Sequence, residues 1–214
     1  MRYLDLLTAL FATVLLVSNV ASTKLVVLGP FTFDGGTLLF PLAYIFGDVL
    51  TEVYGYRKSR RVIWIGFFAL LLATLTFQAV AHLPAPPDAE SQRFGEAFGL
   101  LLGLTPRIVL GSLLAYFLGE FANAYVLAKL KVRTEGRFFW LRALASTLVG
   151  QGLDTGVFLL VAFYGVFPKE VLLAVFLSNY AFKLGVEALM LPFTYAVVGF
   201  LKRAEGMDAY DRDT

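Results

Sequence analysis

The chain has 214 residues, 58% of them hydrophobic and 16% charged, with a formal net charge of +2 and a mean hydropathy of +0.74. That is far more apolar than a soluble domain of this size, so the composition indicates an integral membrane protein. The cations stand in short clusters beside apolar runs, which argues against nucleic acid as a partner. Zero cysteines exclude disulfides, thiolate metal sites and cysteine nucleophiles, and the single histidine, His82, excludes a site built on two imidazoles.

About 20 helical residues cross the hydrocarbon of a bilayer. Residues 4 to about 27 are long enough and form the first expected span. Their start resembles a signal peptide, with Arg2 before an apolar run and small residues from Ser18 to Ser22. Asp5 interrupts that pattern, and the charge balance below needs this helix in place.

Residues 29–36 carry Pro30, Asp34 and three glycines, a turn that should face outward. The second expected span covers residues 37–54, with Pro41 close enough to its start to leave the helix intact. It runs into Asp48 and Glu52, one turn apart, and the cations Arg57, Lys58, Arg60 and Arg61 follow. Span three, residues 62–82, is uncharged. Residues 84–104 mix three prolines with charge and read as an outer loop, with a short interfacial helix over 94–102.

Thr105 and Pro106 pair an N-cap with proline at the first helical position, which starts span four and carries it to about residue 130. Lys129, Lys131, Arg133, Arg137 and Arg142 form a second basic connection. Span five covers residues 140–166, Phe167 and Pro168 turn the chain, and span six covers 170–201. Pro192 lies inside that last helix and removes the bond to the Ala188 carbonyl, so a kink is expected there. Residues 1–202 form one membrane domain, and 203–214 read as a disordered cytoplasmic tail.

Because Lys and Arg gather in cytoplasmic loops, the ends can be assigned. Thirteen cations fall on the side of the two basic connections and both termini, four on the other, and Lys183 lies within the membrane. The expected fold is therefore all-α, a polytopic bundle of six transmembrane helices in the plasma (inner) membrane with both termini cytoplasmic. Six spans divide into two three-helix halves of opposite orientation, as an inverted repeat would. A homodimer is compatible with this pattern.

An ionised side chain near the bilayer centre costs roughly 2.5 to 3.5 kcal/mol, so each one demands a partner or a wet cavity. Tyr116, Glu120 and Asn123 recur at i, i+4 and i+7. Gln151, Asp154 and Thr155 recur at i, i+3 and i+4, and Asn179, Lys183 and Glu187 at i, i+4 and i+8. Three helices thus each present a polar stripe, and together they can enclose one site. Lys183 has two readings, an ion pair with Glu187 or a carboxylate on another helix, and a counter-charge that moves during transport. Asp48 and Glu52 are expected to pair with Arg57, Arg60 and Arg61 as a structural or gating clamp. Phe40, Tyr44, Tyr116, Phe158 and Tyr180 lie beside the stripes and are candidates for stacking on a planar ligand.

The chain has no Gly-rich motif ending in Gly-Lys-Ser or Gly-Lys-Thr, no paired-histidine metal helix and no nucleophile elbow. An enzyme is not indicated, nor is a metal or cofactor. A polar cavity in an apolar bundle suits the movement of a small polar solute.

Ser18-Asn19, the run from Phe40 through Asp48 and Glu52 to Arg61, Ala115 to Asn123, Ala145 to Thr155, and Tyr180 to Lys183 together resemble the queuosine-precursor transporters of the vitamin-uptake-transporter type. The resemblance implies uptake of a 7-deazaguanine base for tRNA modification, with the small purine-like base and the lipid bilayer as partners. A guanine-like edge offers adjacent N–H donors that a carboxylate accepts bidentately, and its carbonyl needs a donor. Glu120 or Asp154 would take the donors, Gln151 or Asn123 the remaining edge, and Tyr116 or Phe158 a face, with Asn19 and Lys183 also in the set. Glu187 stands with the structural or gating ion pairs. Two other readings are a substrate-binding subunit that docks on a separate ATPase module and a membrane scaffold that moves nothing.

Overall fold

The structure is a computed structural model that describes residues 2–28, 31–103 and 106–212. Seven helices account for most of these residues: α1 (Leu4–Ala21), α2 (Phe40–Tyr54), α3 (Tyr56–Ala81), α4 (Ala89–Leu102), α5 (Pro106–Arg133), α6 (Phe139–Phe163) and α7 (Lys169–Glu205). Five of them, α1, α3, α5, α6 and α7, are long and apolar enough to cross a membrane. Six such spans were expected, and α2 is the one that falls short. Its 15 residues reach about 22 Å at 1.5 Å per residue, against a hydrocarbon core of about 30 Å.

What α2 lacks in length it makes up in burial. Ile45, Val49, Leu50, Val53 and Tyr54 are buried, and so are Asp48, Thr51 and Glu52 on other faces of the same helix. A helix covered on every side belongs to the core of a bundle. Its acids therefore meet other helices and not lipid.

The first span ends earlier than the hydropathy suggested. Helix α1 stops at Ala21, and Leu25–Leu28 forms strand β1, antiparallel to β2 (Phe31–Asp34), with Leu25 opposite Asp34 and Leu28 opposite Phe31. The residues read as a continuation of the helix and an outward turn are thus mostly a hairpin. A run of Leu and Val is compatible with either state, and length alone decides. A short 3-10 turn, Gly35–Leu38, links the hairpin to α2, and the Ser18 hydroxyl donates to the Gly36 carbonyl at 3.1 Å.

Helix α3 begins within the basic cluster, right after Gly55, whose φ of +85° turns the chain out of α2. The interfacial segment expected over 94–102 is longer, with Asp88 capping α4 by accepting from the Ser91 amide at 2.8 Å. The Thr105 cap lies outside the described residues. At the same end of α5, Arg107 donates to the Val161 and Tyr164 carbonyls at 2.6 and 2.5 Å, tying α5 to the end of α6. Helix α7 continues through Pro192.

Helices α5 and α6 approach backbone to backbone. A Cβ on Gly119 would stand 2.8 Å from Asp154 Cβ, and one on Gly150 would stand 2.7 Å from Asn123 Cβ. Small residues at such a seam are what close packing of membrane helices requires. The seam sets Asp154 against Gly119 and Asn123 against Gly150, so both polar stripes border it.

Residues 206–212, expected as a disordered tail, carry contacts. Asp211 accepts from the Tyr56 amide at 2.8 Å, the Ala209 amide donates to the Val53 carbonyl at 3.3 Å, and the Tyr210 ring lies over Lys131 Nζ at 4.6 Å. The tail lies against the end of the bundle that holds the basic connections.

Candidate functional site

Two polar centres follow from this packing. The first, at the basic end, is built on Glu52. Arg142 of α6 grips its carboxylate with two donors, at 2.6 and 3.2 Å. Lys202 of α7 donates to Glu52 Oε1 at 2.7 Å, and Lys131 of α5 donates to the Glu52 backbone carbonyl at 2.5 Å. Asp208 of the tail accepts from Lys131 and, at 2.8 Å, from Lys202. Although burial opposes its charge, these two cations hold the Asp208 carboxyl below the usual aspartate range.

Arg57, Arg60 and Arg61 are not the partners of this acid. They are exposed, and among the described residues none is ion-paired with Asp48 or Glu52. The turn at Gly55 places them on the first turns of α3, whereas Glu52 faces into the bundle. The cations paired with Glu52 come instead from three other helices.

The second centre lies deeper, between α2, α5, α6 and α7. Asn123 Nδ2 donates to Asp48 Oδ1 at 3.4 Å, and the Asp48 and Glu187 carboxyls stand within reach of each other, with Thr147 beside Glu187. Lys183 of α7 meets Asp154 of α6 at 3.0 Å, so its partner is a carboxylate on another helix and not Glu187. Glu120 is within electrostatic reach of Asp154, Asp48 and Lys183. A Cβ at Gly47 would lie 3.5 Å from Glu120 Oε2 and 3.8 Å from Asn123 Nδ2, so α2 turns a bare face toward both.

This deep centre is short of donors. Asp48 Oδ2, Asn123 Oδ1, Thr147 Oγ1, Gln151 Oε1, Thr155 Oγ1 and Glu187 Oε2 are buried without a hydrogen-bond partner in the protein. Buried polar atoms are ordinarily satisfied, and each that is not costs about 1–3 kcal/mol. They lie on α2, α5, α6 and α7, the four helices that carry this centre.

Other candidates fall elsewhere. Tyr116 is buried at the α3 seam and donates to the Ile63 carbonyl at 3.0 Å, so its hydroxyl is taken up in helix packing. Tyr180 stacks on Phe176 and donates to the Leu148 carbonyl at 2.8 Å. Asn19 lines an apolar groove of about 520 Å³ with Leu16, Leu70, Phe77 and Leu102, away from the acids. Phe158 is half-buried and meets Phe163 edge-on. Asn179 is exposed. The side chains of Phe40 and Tyr44 lie outside the described set.

Sequence reasoning missed Thr147 and the roles of Lys131, Arg142 and Lys202. Thr147 sits four residues before Gln151, so the helical period that picked out Gln151 and Thr155 also points to it. The three cations were counted as loop or tail charge, and only the contact with Glu52 distinguishes them.

A family model described as "Putative vitamin uptake transporter" matches residues 34–197, most of the chain and nearly all of both centres. The chain belongs to this family. Vitamin uptake transporter relatives include a "Probable queuosine precursor transporter" of Bacillus subtilis (strain 168), 36% identical over 188 residues, 87% of this chain and 80% of that one. The "Queuosine precursor transporter" of Escherichia coli (strain K12) is 27% identical, covering 76% of this chain and 71% of its own. A Haemophilus influenzae relative with the B. subtilis protein's name is 26% identical over 76% of this chain and 67% of its own. No solved structure matches. Membership of this transporter family, with five membrane-length helices, makes the chain a multi-pass membrane protein.

Proposed function

We propose that this protein carries a queuosine precursor, a 7-deazaguanine base, inward across the plasma membrane for later insertion into tRNA. The observation that supports it most directly is the donor-poor centre between α5 and α6. Asn123 Oδ1 and Gln151 Oε1 are buried acceptors without partners, and among the described residues Glu120 has no hydrogen-bonded or ion-paired partner. A planar base whose edge bears adjacent N–H groups supplies what these acceptors lack.

Of the two acids that the sequence offered for the base, Glu120 is the stronger. Asp154 already holds Lys183, whereas the Glu120 carboxylate faces the space beside Gly47. Glu120 accepts the two N–H donors, while Gln151 and Asn123 take the rest of the edge. The Lys183–Asp154 pair, about a quarter to a third exposed, stands beside the base as the contact that can rearrange.

The Glu52 network closes the inner end of this path. Base binding in the deep centre and release at the basic end then alternate as the helices rock about the site. In this reading α2 is the sixth crossing, its short helix extended by the Gly35–Leu38 turn, in two halves of opposite orientation with both termini cytoplasmic. The test is complementation. Cells unable to make or import the precursor are given this chain and each 7-deazaguanine base in turn, and queuosine should appear in their tRNA. No queuosine with any base, from protein shown to be in the membrane, would overturn the proposal.

A further inference from the structure

The deep centre holds more negative charge than the protein around it balances. Four acids, Asp48, Glu120, Asp154 and Glu187, lie between α2, α5, α6 and α7. Lys183 neutralises Asp154, and Arg142, the cation that acts on Asp48, is bound through both terminal nitrogens to Glu52. In the base-transport reading, Glu120 takes the N–H edge of the ligand. Asp48 and Glu187 remain.

These two are nearly inaccessible, at 0% and 6% exposure. Their carboxyls are within hydrogen-bonding reach of each other, yet Asp48 Oδ2 and Glu187 Oε2 receive no donor from the protein. Around Asp48 are Glu52 on α2, Asn123 on α5, Arg142 on α6 and Glu187 on α7, and around Glu187 are Asp48, Thr147 and Glu120. Two carboxyls so placed cannot both be ionised, and a proton held between them supplies the missing donor.

We infer that the Asp48–Glu187 pair is a proton-binding site, and that each imported base is accompanied by one proton passing through it. This rests on the base-transport reading. Asn123 is the link between the two events, because its amide donates to Asp48 while its Oδ1 is free for the base. The proton enters from the outer side, sits between the carboxyls while the base is bound, and leaves to the inner side when the Glu52 network opens.

The experiment uses the full chain in proteoliposomes, with labelled 7-cyano-7-deazaguanine as the probe and the membrane potential clamped at zero by potassium and an ionophore. Counterflow against unlabelled base, without a gradient, reads transport alone. An inward gradient of one pH unit then reads coupling, and one proton per neutral base gives about tenfold accumulation. Base added outside should also acidify the lumen, followed with a trapped pH-sensitive dye. Glu187→Gln and Asp48→Asn should lose both accumulation and acidification, each normalised to the variant's own counterflow, and a variant that keeps both overturns the pair as the proton site. Counterflow without accumulation or acidification in the wild-type protein overturns the coupling and leaves the base reading standing. Accumulation driven by sodium and not by pH overturns it equally. Absence of counterflow removes the base reading and this inference with it. If neither variant folds, acidification by the wild-type protein decides.

Discussion

The two polar centres use the same residue types to opposite ends. At the basic end Glu52 is saturated, gripped by Arg142 and Lys202 and bonded through its own backbone to Lys131. One turn deeper, Asp48 shares a compartment with Glu187, Glu120 and four amide or hydroxyl groups, and donors are scarce. A membrane interior penalises an uncompensated polar group at either place. One centre has its acid compensated by cations from three helices, and the other holds buried acceptors without protein donors, which is the contrast the proposed closure and ligand site rest on.

The contrast can be broken hardest at the closure. Arg142→Ala leaves Glu52 buried with its main partner gone, and loss of one member of a buried pair costs about 3–5 kcal/mol. The expected outcome is a large drop in the thermal unfolding midpoint in detergent, with little folded protein recovered. At the α5–α6 seam, Gly150→Ala pushes a methyl against Asn123 Cβ. Overpacking of this kind costs about 1–3 kcal/mol, and the same midpoint should fall by an intermediate amount.

These two sites also show what the chain's order of residues could and could not reveal. Hydropathy located the membrane helices, and the 3.6-residue period put Glu120 with Asn123 and Gln151 with Thr155, because both depend only on a helix's own residues. Which helix Glu52 would face was not legible. Spacing gives a face but not its neighbour, and the nearest cations along the chain, Arg57 to Arg61, were the wrong ones. The same limit hid the link from Asp48 to Glu187. Likewise, α2 reads as a span because apolar residues surround its acids, yet Ile45, Val49, Leu50, Val53 and Tyr54 are buried against protein.

Lys183 and Asp154 sharpen the comparison, since they are paired but partly exposed. Lys183→Met alone leaves a carboxylate without its cation, and adding Asp154→Asn should recover part of the loss in unfolding midpoint. A coupling below about 1 kcal/mol is expected for a pair in this setting. Uptake of labelled base by both variants should fall more than stability does.

Asp208 gives the smallest effect. Its folded pKa lies below the ordinary aspartate value, so its contribution is present above that ordinary value and is lost as the pH falls through the folded value. Since the side chain is 43% exposed, Asp208→Asn should lower stability near pH 7 by under about 1 kcal/mol. The difference from wild type should vanish in a chemical denaturation series carried below the folded value of Asp208.

The most direct measurement is the shift in thermal unfolding of purified wild-type protein and Glu120→Gln on adding a 7-deazaguanine base. The expected result is a base-dependent rise for the wild type, a rise reduced by at least tenfold in apparent affinity for the variant, and equal midpoints without base. A variant that binds the base as tightly as wild type would contradict the assignment of this acid, and a wild type that shows no shift would contradict the open centre as a ligand site.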